Sequence, residues 1–103
     1  MSAEQILNQI KEATDFQINK KILKERIDSE LLIVYKGGLF KCSIELISFL
    51  SIWEQDEIYL EDSYNNPILV NRHELLKLCK QHYQSVMNEW HVQYSKLQSI
   101  RKI

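Results

Sequence analysis

The densest set of side chains with metal-binding or acid–base chemistry lies in the stretch HYQSVMNEWHVQY, residues 82–94. His82 and His91 are nine residues apart, so on an α-helix they point to opposite sides and do not share a metal. Cys79 precedes His82 by three residues, but two ligands without paired zinc-motif spacing do not make a zinc site. We therefore predict no metal site, with His82 flanking a helix seam and His91 on the outer face.

A second candidate is a run of acidic residues with no basic residue among them. Paired carboxylates can transfer protons or hold divalent cations, but this spacing matches no calcium loop. We expect a solvated face, or alternatively an electrostatic docking surface for residues 71–103, where six Lys/Arg outnumber two Asp/Glu. The five acids are Glu54, Asp56, Glu57, Glu61 and Asp62.

Basic residues gather at two places, in KKILKER (20–26) and near the C-terminus. Both could contact phosphates, although Lys and Arg at a helix C-terminus also complement the helix dipole. The whole chain has a formal net charge of −1, so the overall basic character typical of a nucleic-acid-binding protein is absent. The candidate nucleic-acid contacts are Lys20, Lys21, Lys24, Arg26, Arg101 and Lys102.

Motifs for catalysis are missing from the sequence. It has no glycine-rich phosphate loop, HExxH motif or nucleophile elbow. We predict a non-enzymatic protein with no cofactor and no small-molecule substrate.

The composition fits one globular domain, residues 1–103. Apolar residues make up 45% of the chain, which is ordinary for a folded protein. No apolar run approaches the roughly 20 residues of a membrane span, and the N-terminus lacks a signal-peptide pattern. The two cysteines are expected to be reduced, so we predict a cytoplasmic protein without membrane partners.

Local patterns predict an α+β fold in three parts, 1–29, 30–70 and 71–103. Two short N-terminal helices are expected, over 2–13 with a Ser2–Gln5 capping box and over 20–28. Two β-hairpins, 31–42 with a Gly37-Gly38 turn and 57–71, are expected to flank a buried central helix at 44–53. Asn71 and Glu74 are expected to cap one long C-terminal helix.

That last helix is too long for a compact domain. About 31 residues give roughly 46 Å, whereas a compact chain of this size is roughly 33 Å across. Its apolar residues recur at heptad spacing, so we predict that its distal half is a protein interface. The alternative is that the N-terminal helices fold back and cover it. The predicted interface residues are Tyr83, Val86, Trp90, Tyr94, Leu97 and Ile100.

The order of several segments carries a resemblance over roughly residues 30–95. YKGGLF, a helix ending at Trp53, YLEDSYNNPILVNRHELL and YQSVMNEWH follow one another. This order resembles small proteins encoded by contractile-tailed phages of the cyanophage type. The resemblance implies a phage protein made in a bacterial cytoplasm, either a virion or assembly component or a host-directed binder. It implies no site residue.

Together these features predict a non-enzymatic interaction module that self-associates through its C-terminal helix. Its partner would be a second copy or another protein. The alternative is a small regulator that binds nucleic acid or a host protein through residues 20–26 and 96–102.

Overall fold

The computed structural model describes residues 2–101, with side chains described as far as Ile100. Within that range the chain forms three helices and two separate antiparallel two-stranded sheets, which confirms the α+β class. The elements are α1 (Ala3–Glu30), β1 (Leu32–Tyr35), β2 (Gly38–Lys41), α2 (Ile44–Ile52), β3 (Glu57–Glu61), β4 (Pro67–Asn71) and α3 (Arg72–Arg101).

The prediction of two short N-terminal helices is wrong, because α1 is one continuous helix of 28 residues. The expected capping box is present: the Ser2 hydroxyl accepts from the Gln5 amide, and the Gln5 side chain accepts from the Ser2 amide. No glycine or proline interrupts residues 3–30, so no residue there forces the helix to end. Phe16, within the stretch predicted to connect two helices, is buried, and the helix is continuous through it.

The first hairpin turns one residue earlier than predicted. Lys36 and Gly37 have the positive φ angles, 48° and 79°, and Tyr35 pairs with Gly38 across the strands. Gly38 has a different role, since a Cβ at this position would lie 2.8 Å from Cγ1 of Ile68 on β4. The second glycine therefore allows the two hairpins to approach closely, and the turn itself depends on Gly37.

The second hairpin forms its own sheet and is joined to the first through Asp62. Its carboxylate is buried and accepts hydrogen bonds from the backbone amides of Leu39, Tyr64 and Asn66. The Ser63 amide also donates to the Leu39 carbonyl. Hydrogen bonds to the charged form lower the pKa of Asp62. Side-chain and loop contacts thus replace strand pairing between the hairpins.

The central helix α2 is less buried than predicted. Ser43 caps it by accepting from the Leu46 amide, and Leu50 is fully buried. The prediction of a buried helix is wrong for its ends, because Ile44 and Ile52 are exposed, the latter to 77%. Because α2 packs mainly against α3, its other faces stay partly exposed.

The long C-terminal helix begins as expected, with the Asn71 side chain accepting from the Glu74 amide. The Glu74 carboxylate instead accepts a hydrogen bond from the Tyr35 hydroxyl on β1. This contact ties the first hairpin to the start of α3.

Two hydrophobic clusters divide the molecule, which measures 65 × 23 × 20 Å, into a head and a stem. The head comprises residues 32–81, and the stem comprises α1, Leu31 and α3 from His82 onward. The head core contains Tyr35, Phe40, Cys42, Leu50, Ile58, Val70, Leu75 and Cys79. The stem core contains Leu23, Ile27, Leu31 and Val86. The stem is the feature that makes the molecule elongated.

Candidate protein interface

The seam of the stem is where α1 packs against α3. Ile27 is fully buried and Val86 is nearly so, and half-buried side chains from α3 surround this pair. Glu30 lies beside His82, and Lys24 lies beside Trp90 further along, so the two helices run antiparallel. Four of the predicted interface residues, Tyr83, Val86, Trp90 and Tyr94, belong to this intrachain cluster.

One side of the seam carries an open groove of about 400 Å³, which we call the Trp90 groove. Trp90 is half-buried, and Nζ of Lys24 lies 5.6 Å from the centre of its ring. A cation at that distance is attracted to the indole face. The groove is therefore aromatic at its base and basic at its rim. It is lined by Lys20, Met87, Trp90, His91 and Tyr94.

The other side of the seam carries a second open groove, of about 370 Å³, nearer the end of α3. The last two predicted interface residues lie here: Leu97 is half-buried and Ile100 is exposed to 68%. Ile22 and Arg26 of α1 face them. The six predicted residues are thus spread over the seam and both of its flanks.

Sequence reasoning missed the surface at the far end of α1, residues 3–15, which we call the tip. Every side chain from Ser2 to Asp15 is exposed, including Ile6 at 45%, Leu7 at 66% and Ile10 at 58%. These three positions share one helix face. In a sequence, that spacing predicts the buried face of a short helix. The signal that would have revealed the tip is the lack of any helix breaker between it and the buried part of α1.

At the base of the stem, two carboxylates from different helices meet. The carboxyl groups of Glu30 on α1 and Glu89 on α3 interact, and this interaction, together with burial, raises the pKa of Glu30. Arg26 lies 3.9 Å from the Glu30 carboxylate, and the ring of His82 contacts the Glu30 carbonyl. The junction between stem and head therefore contains a group that is more easily protonated than an ordinary glutamate.

The five predicted acids do not form one surface. Glu54, Glu57 and Glu61 are exposed, whereas Asp62 is buried in the turn of the second hairpin. Asp56 lies 3.0 Å from Nε2 of His73, its neighbour on the head. Asp62 is consequently a structural residue, and Asp56 already has an intrachain partner.

The predicted basic residues are also divided. Lys20 lines the Trp90 groove and Arg26 lines the opposite groove, while Lys24 forms an ion pair with Asp28. Lys21 is exposed. The side chain of Arg101 and all of Lys102 lie outside the described residues. The four basic residues of 20–26 are thus distributed around α1 rather than aligned along one phosphate-binding face.

Metal-binding groups, thiols and helix hydrophobicity are the remaining features of the described residues. Within residues 2–101, no group of three or more His, Cys, Asp or Glu side chains is arranged to hold a metal ion. The thiols of Cys42 and Cys79 are fully buried in the head core, where hydrogen bonding to Cys79 and burial both raise the pKa of Cys42. Over the same residues, no helix combines the length and apolar character needed to cross a membrane.

Comparison with known protein families, curated proteins and solved structures finds no match to this chain. The function is therefore inferred from the stem, where the apolar surface and the open grooves lie.

Proposed function

We propose that this protein is a non-enzymatic interaction module that self-associates through its stem. The observation that supports this proposal is the tip of α1, a helical segment whose large aliphatic side chains have solvent exposures between 45% and 66%. The head would serve as the folded base from which the stem projects.

The tip is physically costly to maintain without a partner. Most helix stability in proteins comes from packing of an apolar face, and every side chain of the tip is exposed in the single chain. Burying Ile6, Leu7 and Ile10, which are between 45% and 66% exposed, would stabilise the assembly by roughly 1–2 kcal/mol for each side chain, about half of the value for a fully exposed one. An association that covers the tip therefore stabilises both the interface and the helix.

The flanks of the stem offer complementary surfaces. Both grooves are open and bounded mainly by apolar side chains of α1 and α3. Trp90 and Tyr94 are half-buried, so each leaves aromatic surface for a partner, and large aromatic side chains dominate the energetics of interfaces. The stem thus presents a projecting apolar segment and receiving grooves in the same chain.

Light scattering after gel filtration, over a range of loading concentrations, tests this proposal. We expect a mass that rises with concentration above the 12.3 kDa of one chain. The double variant Leu7→Gln with Ile10→Gln should run as a monomer over the same range. Val34→Gln is the control, because Val34 is an aliphatic residue of the head that is even more exposed than Leu7 and Ile10.

Two results would refute self-association through the stem. One is a monomeric wild type at every concentration, and the other is a tip variant with the same mass profile as the wild type. Far-ultraviolet circular dichroism of each variant, recorded at the concentration used for light scattering, verifies that the head remains folded.

A further inference from the structure

We propose that the tip of α1 is covered by the tip of a second copy of this chain, in an antiparallel pair whose two-fold axis passes level with Asn8. Ile6 of each copy would pack on Ile10 of the other, and Ala3 of each copy on Ala13 of the other. This inference rests on the proposed self-association and specifies which surface covers the tip.

The first support is the nearly symmetric sequence of the tip. Residues 3–13 read AEQILNQIKEA, so positions equally far from Asn8 hold the same residue in three of five pairs. In a two-fold antiparallel pair centred on Asn8, positions equally far from the centre meet across the interface. Large side chains would therefore meet large ones in the middle, and small ones would meet at both ends. The identical pairs are Ala3 with Ala13, Glu4 with Glu12 and Ile6 with Ile10.

The second support is that the apolar pairs lie on one face of the helix, which we call the tip face. At about 100° per residue, the two alanines and two isoleucines point within about 80° of one another, and all four are exposed in the single chain. Their spacing of three, four and three residues is that of a helix-packing seam. Leu7 lies on one flank of this face, one residue from the axis, so Leu7 of both copies would meet there.

The charged side chains of the tip point away from the tip face. Glu4 and Glu12 each lie about 140° from its centre, on opposite sides, so pairing of the tips leaves these carboxylates in water. The tip face is itself apolar and uncharged. Its occupant must therefore present an apolar, uncharged surface of the same shape, and the tip of a second copy presents one.

The structure also leaves room for the second tip. Within the stem, Glu30 lies beside His82 and Lys24 beside Trp90. Continued along the two helices, this register places Arg101, where described α3 ends, level with about residue 12 of α1. Most of the tip therefore projects beyond the described part of α3, as the exposure of its side chains requires.

A second copy on the tip face would not collide with the first. Leu23 and Ile27, which pack against α3, point about 100° away from the centre of the tip face. In the proposed register, α1 of the second copy begins level with Ala13 and runs away from the stem grooves. The grooves stay uncovered, and the two heads lie at opposite ends of the dimer.

Cysteine cross-linking tests this register. Mixing the single variants Ala3→Cys and Ala13→Cys brings two thiols to facing positions. In either variant alone, the two thiols of a dimer are offset by 10 residues, or about 15 Å, whereas a disulfide requires Cα atoms within roughly 7 Å. Under mild oxidation the mixture should give at least about tenfold more covalent dimer than either variant alone, with the bond mapped between positions 3 and 13. A parallel pair would give the reverse result.

The matched control is a mixture of Glu4→Cys and Glu12→Cys. These positions are also equally far from Asn8, but they point away from the tip face, so this mixture should give at least about tenfold less covalent dimer than the first. The native thiols are buried and remain in every variant. The covered surface is smaller than the roughly 1,600 Å² of a standard interface, so we expect a weak dimer, which cross-linking traps.

Fluorescence gives a second readout that does not depend on oxidation. In a Trp53→Phe background, Trp90 is the single tryptophan. Because the second copy does not reach the Trp90 groove, dilution from dimer to monomer should leave the Trp90 emission unchanged. A shift to longer wavelength on dilution would show that the groove is covered in the dimer, and it would overturn the tip-to-tip geometry.

The outcomes separate the two proposals. A dimer by light scattering whose mixed Ala3→Cys and Ala13→Cys proteins yield no bond between positions 3 and 13 overturns the tip-to-tip geometry and leaves self-association standing. A monomer at all concentrations overturns the proposed function together with this geometry.

Discussion

Arg72 connects three parts of the head, and its replacement by methionine gives a quantitative prediction. Its side chain is buried at the start of α3, where Nη1 donates to the Leu50 carbonyl at 2.8 Å and Nε donates to the Gln55 carbonyl at 3.0 Å. Leu50 lies in the last turn of α2, whose final carbonyls have no partner within the helix. The guanidinium therefore satisfies an end of α2 and also complements its dipole.

The magnitude follows from these two bonds. A hydrogen bond to a charged group contributes about 1.5–3 kcal/mol, and methionine retains most of the aliphatic packing. The ion pair with Asp56 at 3.8 Å adds little, because Asp56 is exposed. We expect Arg72→Met to lower the free energy of unfolding by about 3–5 kcal/mol, a large part of the 5–15 kcal/mol typical of a domain. Arg72→Lys should lose about half as much, because one ammonium group does not reproduce the planar fork of donors.

Urea unfolding followed by circular dichroism measures these differences. Arg26→Met is the matched control, since Arg26 forms an ion pair with Glu30 at 3.9 Å on an exposed helix face. That substitution should cost no more than about 0.5 kcal/mol. If the free energy of unfolding of Arg72→Met lies within about 0.5 kcal/mol of the wild-type value, these hydrogen bonds do not stabilise the end of α2 and the reasoning is refuted.

Three further predictions concern other contacts. Because the pKa of Glu30 is raised, the folded state holds its proton more tightly than the unfolded state does, so this stabilising contribution is complete below the ordinary glutamate pKa and is lost as pH rises through the raised value. Glu89→Gln should therefore flatten the decline in melting temperature as pH rises above the ordinary glutamate pKa, and an unchanged slope would contradict this. Gly38→Ala should lower the free energy of unfolding by about 1–3 kcal/mol, because its Cβ would meet Ile68 at 2.8 Å. Gly37→Asn should cost less than Gly37→Ala, because asparagine tolerates a positive φ better than alanine does. The two buried thiols should react with Ellman's reagent at least about a hundredfold more slowly in native protein than in urea, and comparable rates would show that the head core opens readily.

Several elements were predictable because their signals are local. The Ser2–Gln5 capping box, the Ser43 and Asn71 caps and the proline that opens β4 each depend on residues within one turn of chain. Alternation and heptad spacing likewise predicted both hairpins and the long final helix. These features follow from backbone hydrogen bonding and side-chain periodicity, which short stretches of sequence contain.

Other features depended on contacts between distant residues. The sequence between two apolar stretches of α1 suggested a break, whereas the burial of Phe16 accompanies a continuous helix. Asp62 looked like one member of a solvated acidic run, but its carboxylate accepts from Leu39, 23 residues away. Gly38 looked like a turn residue, yet its lack of a side chain is needed by Ile68 of the other hairpin.

The sequence by itself determined the two hairpins, the last two helices, their caps and the apolar face of α3 that includes Trp90. Only the tertiary structure decided which surface covers that face: α1 folds along α3, buries Val86 and leaves Trp90 half-exposed beside a groove. Hydrophobic periodicity shows that a helix face will be buried, but it does not distinguish a partner in the same chain from one in another. That choice depends on where α1 and α3 lie relative to each other, and the same arrangement leaves the tip of α1 uncovered.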